Sequence, residues 1–273
     1  YGGHTLEMLK CLKGEGHIYG LDVDPIESEK TKERLKKQGF GEDILTVKLL
    51  NFRNIDQVAE EAGKFDFVLA DLGVSSMQID NPERGFSYKV DGPLDLRMNP
   101  QKGISAAQRL KEVTQEELYG MLLENADEPY AEEISKAVIR QRRIRPVETT
   151  TDLKQVIEQA LSFIPEKERK EAVKKSCQRS FQALRIDVNS EFEVLYDFLE
   201  KLPQVLAPNG RAAILTFHSG EDRLVKKSFK QFYKEGIYSD ISKNVIRPSQ
   251  EECARNSRAR STKMRWAIRA QEI

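Results

Sequence analysis

Three short apolar runs separated by helical stretches fill the first hundred residues, and that rhythm leaves few architectures open. Ile18-Tyr19-Gly20-Leu21-Asp22-Val23 has strand character, Glu27 to Gln38 reads as a charged helix, and Ile44 to Leu50 as a second strand. Phe65-Asp66-Phe67-Val68-Leu69-Ala70 is a third, so nearly apolar throughout that it is expected to be buried on both faces of a parallel sheet. Strand, helix and strand in succession imply right-handed crossovers and an open α/β sheet.

The pattern changes after about residue 103. Thr114-x-x-Glu117 is a capping box ahead of Leu118, Met121 and Leu122, and Ala131, Ile134 and Val138 follow at helical spacing. Leu153, Val156, Ile157, Ala160 and Leu161 form a one-sided apolar stripe, and nothing from 103 to 185 reads as a strand. Beyond it, Ser190-x-x-Glu193 is expected to cap a helix that Pro203 kinks or ends. Ala207-Pro208-Asn209-Gly210 is then a turn before a buried strand from Arg211 to Phe217. The expected organisation is an α/β domain of residues 1–102 and 186–273, interrupted by a helical domain at 103–185.

Composition narrows the partners. The 273 residues carry 44 Lys and Arg against 44 Asp and Glu, so net charge says nothing of nucleic acid, but its distribution does. Lys136, Arg140, Arg142, Arg143 and Arg145 form one cluster. Lys243, Arg247, Arg255, Arg258, Arg260, Lys263, Arg265 and Arg269 form another, against only Glu251, Glu252 and Glu272. Such runs are either solvated faces or phosphate footprints. Cys11, Cys177 and Cys253 are widely separated, so neither a zinc site nor a disulfide framework is expected, and a reducing, cytoplasmic setting is. No apolar run approaches the roughly 20 residues needed to span a bilayer, so no membrane partner is expected.

Two strand ends carry the candidate chemistry. Gly2-Gly3-His4-Thr5 precedes an amphipathic helix, and paired glycines let a ligand approach the backbone closely. Asp22, 18 residues after His4 at the end of the next strand, is placed to accept hydrogen bonds from ribose hydroxyls. The full G-x-G-x-x-G pattern is absent, which favours a nucleoside cofactor over a dinucleotide; a plain tight turn with an acid in the following loop is the competing reading. Asp71 opens Asp71-Leu72-Gly73-Val74-Ser75-Ser76 directly after the apolar strand, where open α/β sheets bind ligands, or else serves as a turn or capping Asp. The long aromatic loop of residues 83–98 is expected to be ordered and functional. His218 lies at another strand end, with Ser219 and Asp222 read first as helix caps.

These residues resemble a known family. Gly2-Gly3-His4, Asp22-Val-Asp24-Pro25, Asp71-Leu-Gly-Val-Ser-Ser76, Glu83-Arg-Gly-Phe-Ser87 and Asp91-Gly-Pro-Leu-Asp-Leu-Arg-Met98 recur in order, followed by Phe181-Gln-Ala-Leu-Arg-Ile186, Phe217-His-Ser219 and Asn256-x-Arg258-Ala-Arg260-Ser261. Together they are similar to the bacterial RsmH or MraW enzymes, which methylate N4 of a cytosine in 16S ribosomal RNA. The resemblance implies a Rossmann-like class I methyltransferase domain with an inserted all-helical domain, S-adenosyl-L-methionine as cofactor and small-subunit ribosomal RNA as partner, with no metal. It implies cofactor contacts at Gly2, Gly3, His4, Asp22, Phe52, Asp71 and Gln78. A catalytic role for Asp71, and substrate contacts at His218, Arg258 and Arg260, complete the expected site.

The chain also departs from the family. Its first strand and an Asp-x-Thr before the glycines are absent, so an N-terminal strand is expected upstream of Tyr1. Gly220 stands where the family usually has Leu, Ser257 where it has Pro, and Cys177-Gln178-Arg179 replaces Ala-Thr-Arg, which suggests a divergent branch. The competing functions are a methyltransferase acting on another nucleic acid, a protein or a small molecule, and a non-catalytic RNA-binding assembly factor. Arg258 and Arg260, alternating just before a strand-like Met264-Arg265-Trp266-Ala267-Ile268, are expected to share one face of an extended segment.

Overall fold

The computed structural model describes residues 2–271; Tyr1, Glu272 and Ile273, at the ends of the expected domain boundaries, lie outside them. The chain runs α1 (Gly3–Leu12), β1 (Ile18–Asp22), α2 (Pro25–Lys37), β2 (Leu45–Leu49), α3 (Ile55–Ala62), β3 (Phe65–Asp71), α4 (Ser76–Asp80), α5 (Ala106–Glu112) and α6 (Gln115–Ala126). It continues with α7 (Ala131–Ile144), α8 (Thr150–Ala160), α9 (Glu166–Asn189), α10 (Glu191–Val205), β4 (Leu206–Thr216), α11 (Ser219–Lys234), β5 (Tyr238–Ile241), α12 (Gln250–Arg255) and β6 (Lys263–Arg269). The fold is mixed α/β, and it divides into two compact units, one running to Gly73 and resuming at Phe192, the other Val74–Glu191.

In the first unit β1 and β2 pair in parallel. A second sheet has the order β3-β4-β6-β5, with β3 parallel to β4 and β6 antiparallel to both its neighbours. Leu9 of α1 and Leu35 of α2 bury against Ile44 and Leu45 to form the core of the small sheet. Leu195, Phe198 and Leu202 of α10, with Val225 and Phe229 of α11, cover the larger one. Helix α2 starts two residues before the expected Glu27, because the Asp24 side chain accepts from the Ile26 amide (2.9 Å) and Pro25 takes the first helical position.

Several expectations fail here for identifiable reasons. Strand β3 is not buried on both faces: Phe67 is 48% exposed, and β3 has β4 as its one ladder partner among the described residues. Pro203 lies inside α10, which continues to Val205, so of the two effects expected of the proline the ending comes two residues late. The Ala207–Gly210 turn is an irregularity inside β4, where Asn209 takes a positive φ of 62° and the register with β3 shifts. Ser190 does not cap α10; it is the left-handed residue that closes the 24-residue α9.

The second unit has its own core. Helix α6 packs on α9 and α7, α7 on α8, and α8 on α9. Leu110, Leu122, Ile134, Val138, Ile157 and Leu184 are among its buried side chains. The expected capping box at Thr114 and Glu117 forms, with both reciprocal bonds present. The segment 83–98 is ordered and built into this core: Leu94 and Leu96 are 1% exposed, the buried Arg84 donates to the carbonyls of Arg97 and Met98, and Asn189 Nδ2 donates to the Leu96 carbonyl. No helix among the described residues is long and apolar enough to cross a membrane.

Candidate functional site

Helix α1 begins at Gly3, one residue after Gly2, which adopts φ 70°, the left-handed region that glycine tolerates best. A Cβ on Gly2 would lie 2.9 Å from the Thr31 methyl carbon of α2, so a side chain there is excluded by space as well as by conformation. A Cβ on Gly3 would meet nothing within 4 Å, so the first turn of α1 faces open space. His4 follows in that turn, and its Nε2 lies 3.3 Å from Oδ2 of Asp71, the last residue of β3. Both side chains are about half exposed, 57% and 44%. The hydrogen bond with Asp71 raises the His4 pKa, with the charges of Asp71 and Glu252 adding to the effect while partial burial opposes it.

Asp22 ends β1, so that both β1 and β3 finish on a carboxylate. Its Oδ1 accepts from the Asp24 amide at 2.9 Å. Burial raises its pKa, and the Asp24 N–H offsets part of that shift. A half-buried carboxylate in this condition gains from additional hydrogen-bond donors, such as vicinal hydroxyls. The Leu50 amide donates to the Asp22 carbonyl, so Phe52 comes two residues beyond the point where the chain flanks β1. Phe52 opens a 3₁₀ turn capped by Asn51 and packs edge-on against Phe198, 5.1 Å between ring centroids. Gln78 belongs to the other unit; it is buried in α4, and its Oε1 accepts from the Ser75 amide in a capping box.

His218 sits at the end of β4 and is itself the N-cap of α11, in place of the expected Ser219. Its Nδ1 accepts from the Glu221 amide at 3.5 Å, and the ring packs against Phe192. Nε2 is buried 3.3 Å from Glu221 Oε1, outside hydrogen-bonding geometry. Glu221 in turn accepts from the Phe217 amide. Asp222 is not a cap either: it receives a two-pronged ion pair from Arg265 of β6, at 2.7 and 3.2 Å. Gly220 has a packing reason, since a Cβ there would lie 2.6 Å from the Phe192 ring and 3.2 Å from His218 Nδ1.

Arg258 and Arg260 do not share one face of an extended segment. Ser257–Ser261 is a 3₁₀ turn opened by the Asn256 side chain, which accepts from the Arg258 amide. At about three residues per turn, positions two apart point in different directions. Both arginines are exposed. Sequence reasoning missed Glu252, which acts on His4 from α12, and Glu221, whose only local signal was its place three residues after His218.

The sequence matches the model of the MraW methylase family over residues 1–270. It is 71% identical over 271 residues, 99% of this chain and 74% of the relative, to a Lachnoclostridium phytofermentans protein named ribosomal RNA small subunit methyltransferase H 1. Identity is 65% over 271 residues, covering 99% and 78%, to an Alkaliphilus metalliredigens protein named ribosomal RNA small subunit methyltransferase H 2. It is 39% over 281 residues, covering 97% and 88%, to a Clostridium botulinum protein named ribosomal RNA small subunit methyltransferase H.

Proposed function

Since the chain belongs to the MraW methylase family, we propose that it is an S-adenosyl-L-methionine-dependent methyltransferase acting on N4 of a cytosine in small-subunit ribosomal RNA. The observation that carries this reading is the strand-end pair of Asp71 with His4, beside a helix start that opens onto space at Gly3. We further read the architecture as a Rossmann-like domain interrupted by the helical segment, and the setting as cytoplasmic.

The residues fit the cofactor. Gly3 leaves room for a ligand against the backbone, Gly2 supplies the left-handed residue from which the helix starts there, and Asp22 offers a carboxylate whose burial makes donated hydrogen bonds favourable. Phe52 offers an aromatic wall, and His4 and Asp71 complete the proposed contacts of this unit. The bound cofactor supplies an electrophilic methyl group. The protein's task is orientation, because the amino nitrogen of cytosine has its lone pair drawn into the ring and is a poor nucleophile. Alignment of reactants in favourable cases lowers a barrier by roughly 7–11 kcal/mol. Asp71 accepts a hydrogen bond from the amino group, directs its lone pair, and takes the proton it must lose. The base has to be unstacked to reach a strand-end carboxylate, which favours a loop or single-stranded target. Arg258 and Arg260 are the proposed substrate contacts, whereas His218, its Nε2 buried and its Nδ1 taken by the Glu221 amide, serves the start of α11 instead.

Incubation with radiolabelled cofactor and separate pools of small ribosomal subunits, free ribosomal RNA and DNA tests the reading. Label is expected in small-subunit RNA as N4-methylcytidine after nuclease digestion. Label in DNA or protein alone, or none in any pool, would overturn it.

A further inference from the structure

We propose that His4 is the outer half of a proton relay, taking from Asp71 the proton that Asp71 removes from the substrate amine and delivering it to water. This inference rests on the methyltransferase reading of the same site and assigns His4 a role beyond contact with a cofactor.

The geometry has the three parts a relay needs. Asp71 ends β3, where the reading places the reacting amine. His4 Nε2 is 3.3 Å from Asp71 Oδ2, within reach of a proton transfer after a small approach. The imidazole is 57% exposed, so the proton has an exit that Asp71 need not provide. The balance is simple. The amine lone pair forms the bond to the methyl carbon as that carbon's bond to the sulfonium sulfur breaks, its electron pair leaving with the neutral thioether, and the nitrogen then keeps the electron pair of the N–H bond that breaks. That proton converts the Asp71 carboxylate to the acid, passes from Oδ2 to the neutral His4 Nε2, and leaves the imidazolium to solvent, restoring both groups.

His4 is poised for this near neutral pH, where an imidazole changes charge most readily. The carboxylates that act on it are Asp71 from β3 and Glu252 from α12, and both favour the protonated ring. Its own helix opposes them, because His4 lies in the first turn of α1, where the peptide dipoles disfavour a cation. Also on α1, Glu7 is engaged by Lys10. Arg34 of α2 lies against Gly2, two residues away.

A relay needs His4 neutral at the start of each turnover. Single-turnover rates at saturating cofactor should therefore rise with pH through the raised His4 pKa, a limb that lies above the ordinary 6.5. His4→Gln keeps a donor facing Asp71 but cannot carry a proton; it should abolish that limb and slow transfer at neutral pH by roughly 100-fold. A second readout needs no turnover. The His4 ring, resolved by NMR from those of His17 and His218, should titrate closer to 6.5 in Asp71→Asn than in wild type. If wild type methylates RNA and His4→Gln retains the limb, or if Asp71→Asn leaves the His4 titration unmoved, the relay is overturned while the methyltransferase reading stands. If wild type transfers no methyl group to any pool, the reading itself fails, and the relay with it.

Discussion

Asp22 carries a cost to the fold that a ligand with hydroxyl donors would offset. Burial raises its pKa, with the Asp24 amide offsetting part of the shift. A group whose folded pKa is raised contributes its full stability below the unfolded value of 3.8 and loses it as pH rises through the folded value. At neutral pH the charged form is therefore mildly destabilising until hydroxyl donors reach it. Asp22→Asn should leave the melting temperature at pH 7 unchanged or slightly higher. The same change should weaken cofactor binding by about one to two decades, the effect of losing roughly 1.5–3 kcal/mol of hydrogen bonding to a charge. Calorimetry of binding and of unfolding on the same preparation checks both signs; an unaltered dissociation constant would remove Asp22 from the site. Its position at the end of β1 was legible in the sequence, because strand ends in α/β sheets are predictable from apolar runs. Glu252 was not, because its action on His4 joins positions 248 apart with no local pattern to mark them.

Elements are tied together by pairs of the same kind. Asp222 of α11 and Arg265 of β6 are 14% and 8% exposed and joined by two hydrogen bonds. Burial alone would raise the Asp222 pKa, but the bonds and charge of Arg265 outweigh it and lower the carboxyl below 3.8. Its stabilisation is therefore present above that unfolded value and lost as pH falls through the folded one. Arg265→Met leaves a buried carboxylate unpaired and should cost about 3–5 kcal/mol at pH 7. Urea titrations should show that gap narrowing below pH 3.8; a gap independent of pH would mean the loss is one of packing. The neighbouring Gly220 tests packing directly. Gly220→Ala pushes a Cβ to 2.6 Å from the Phe192 ring and should cost roughly 1–3 kcal/mol, with Phe192→Leu recovering part of it in a double-mutant cycle. Additive losses would refute that contact. These elements also mark where sequence patterns stop being informative. The apolar periods locate β1, β2, β3 and the helices of the second unit, since each period is local. The exposure of Phe67 depends on what packs over its face of the sheet, and the 3₁₀ turn at Ser257–Ser261 is too short to have a period. Ser190 imitates a capping box so closely that only its positive φ of 48° separates a helix stop from a helix start.

At the scale of the whole molecule, charge poses the question that RNA binding has to answer. With 44 basic and 44 acidic side chains there is no net field to draw a polyanion, so affinity has to come from local groups. Two clusters compete for that role. In α7, Arg142 is engaged by the carbonyls of Leu110 and Val113, and Arg145, just beyond the helix, pairs with Asp152, which leaves the exposed Arg140 and Arg143 as the cations to consider there. In the C-terminal segment, Arg258 and Arg260 project from a 3₁₀ turn in different directions and so suit two separate phosphates rather than a shared one. That segment also carries Glu252, which acts on His4, and this proximity to the proposed site favours it over α7. Removing one arginine–phosphate pair should lower the slope of log affinity against log salt by roughly 0.7–0.9. Replacing both Arg258 and Arg260 with Gln should therefore flatten the salt dependence of small-subunit RNA binding by somewhat under two units, with Arg260→Gln alone giving about half. Cofactor affinity and melting temperature should hold. An unaltered slope in the double variant, with a reduced slope in Arg140→Gln/Arg143→Gln, would move the RNA path to the helical unit and leave the C-terminal arginines as ordinary surface charge.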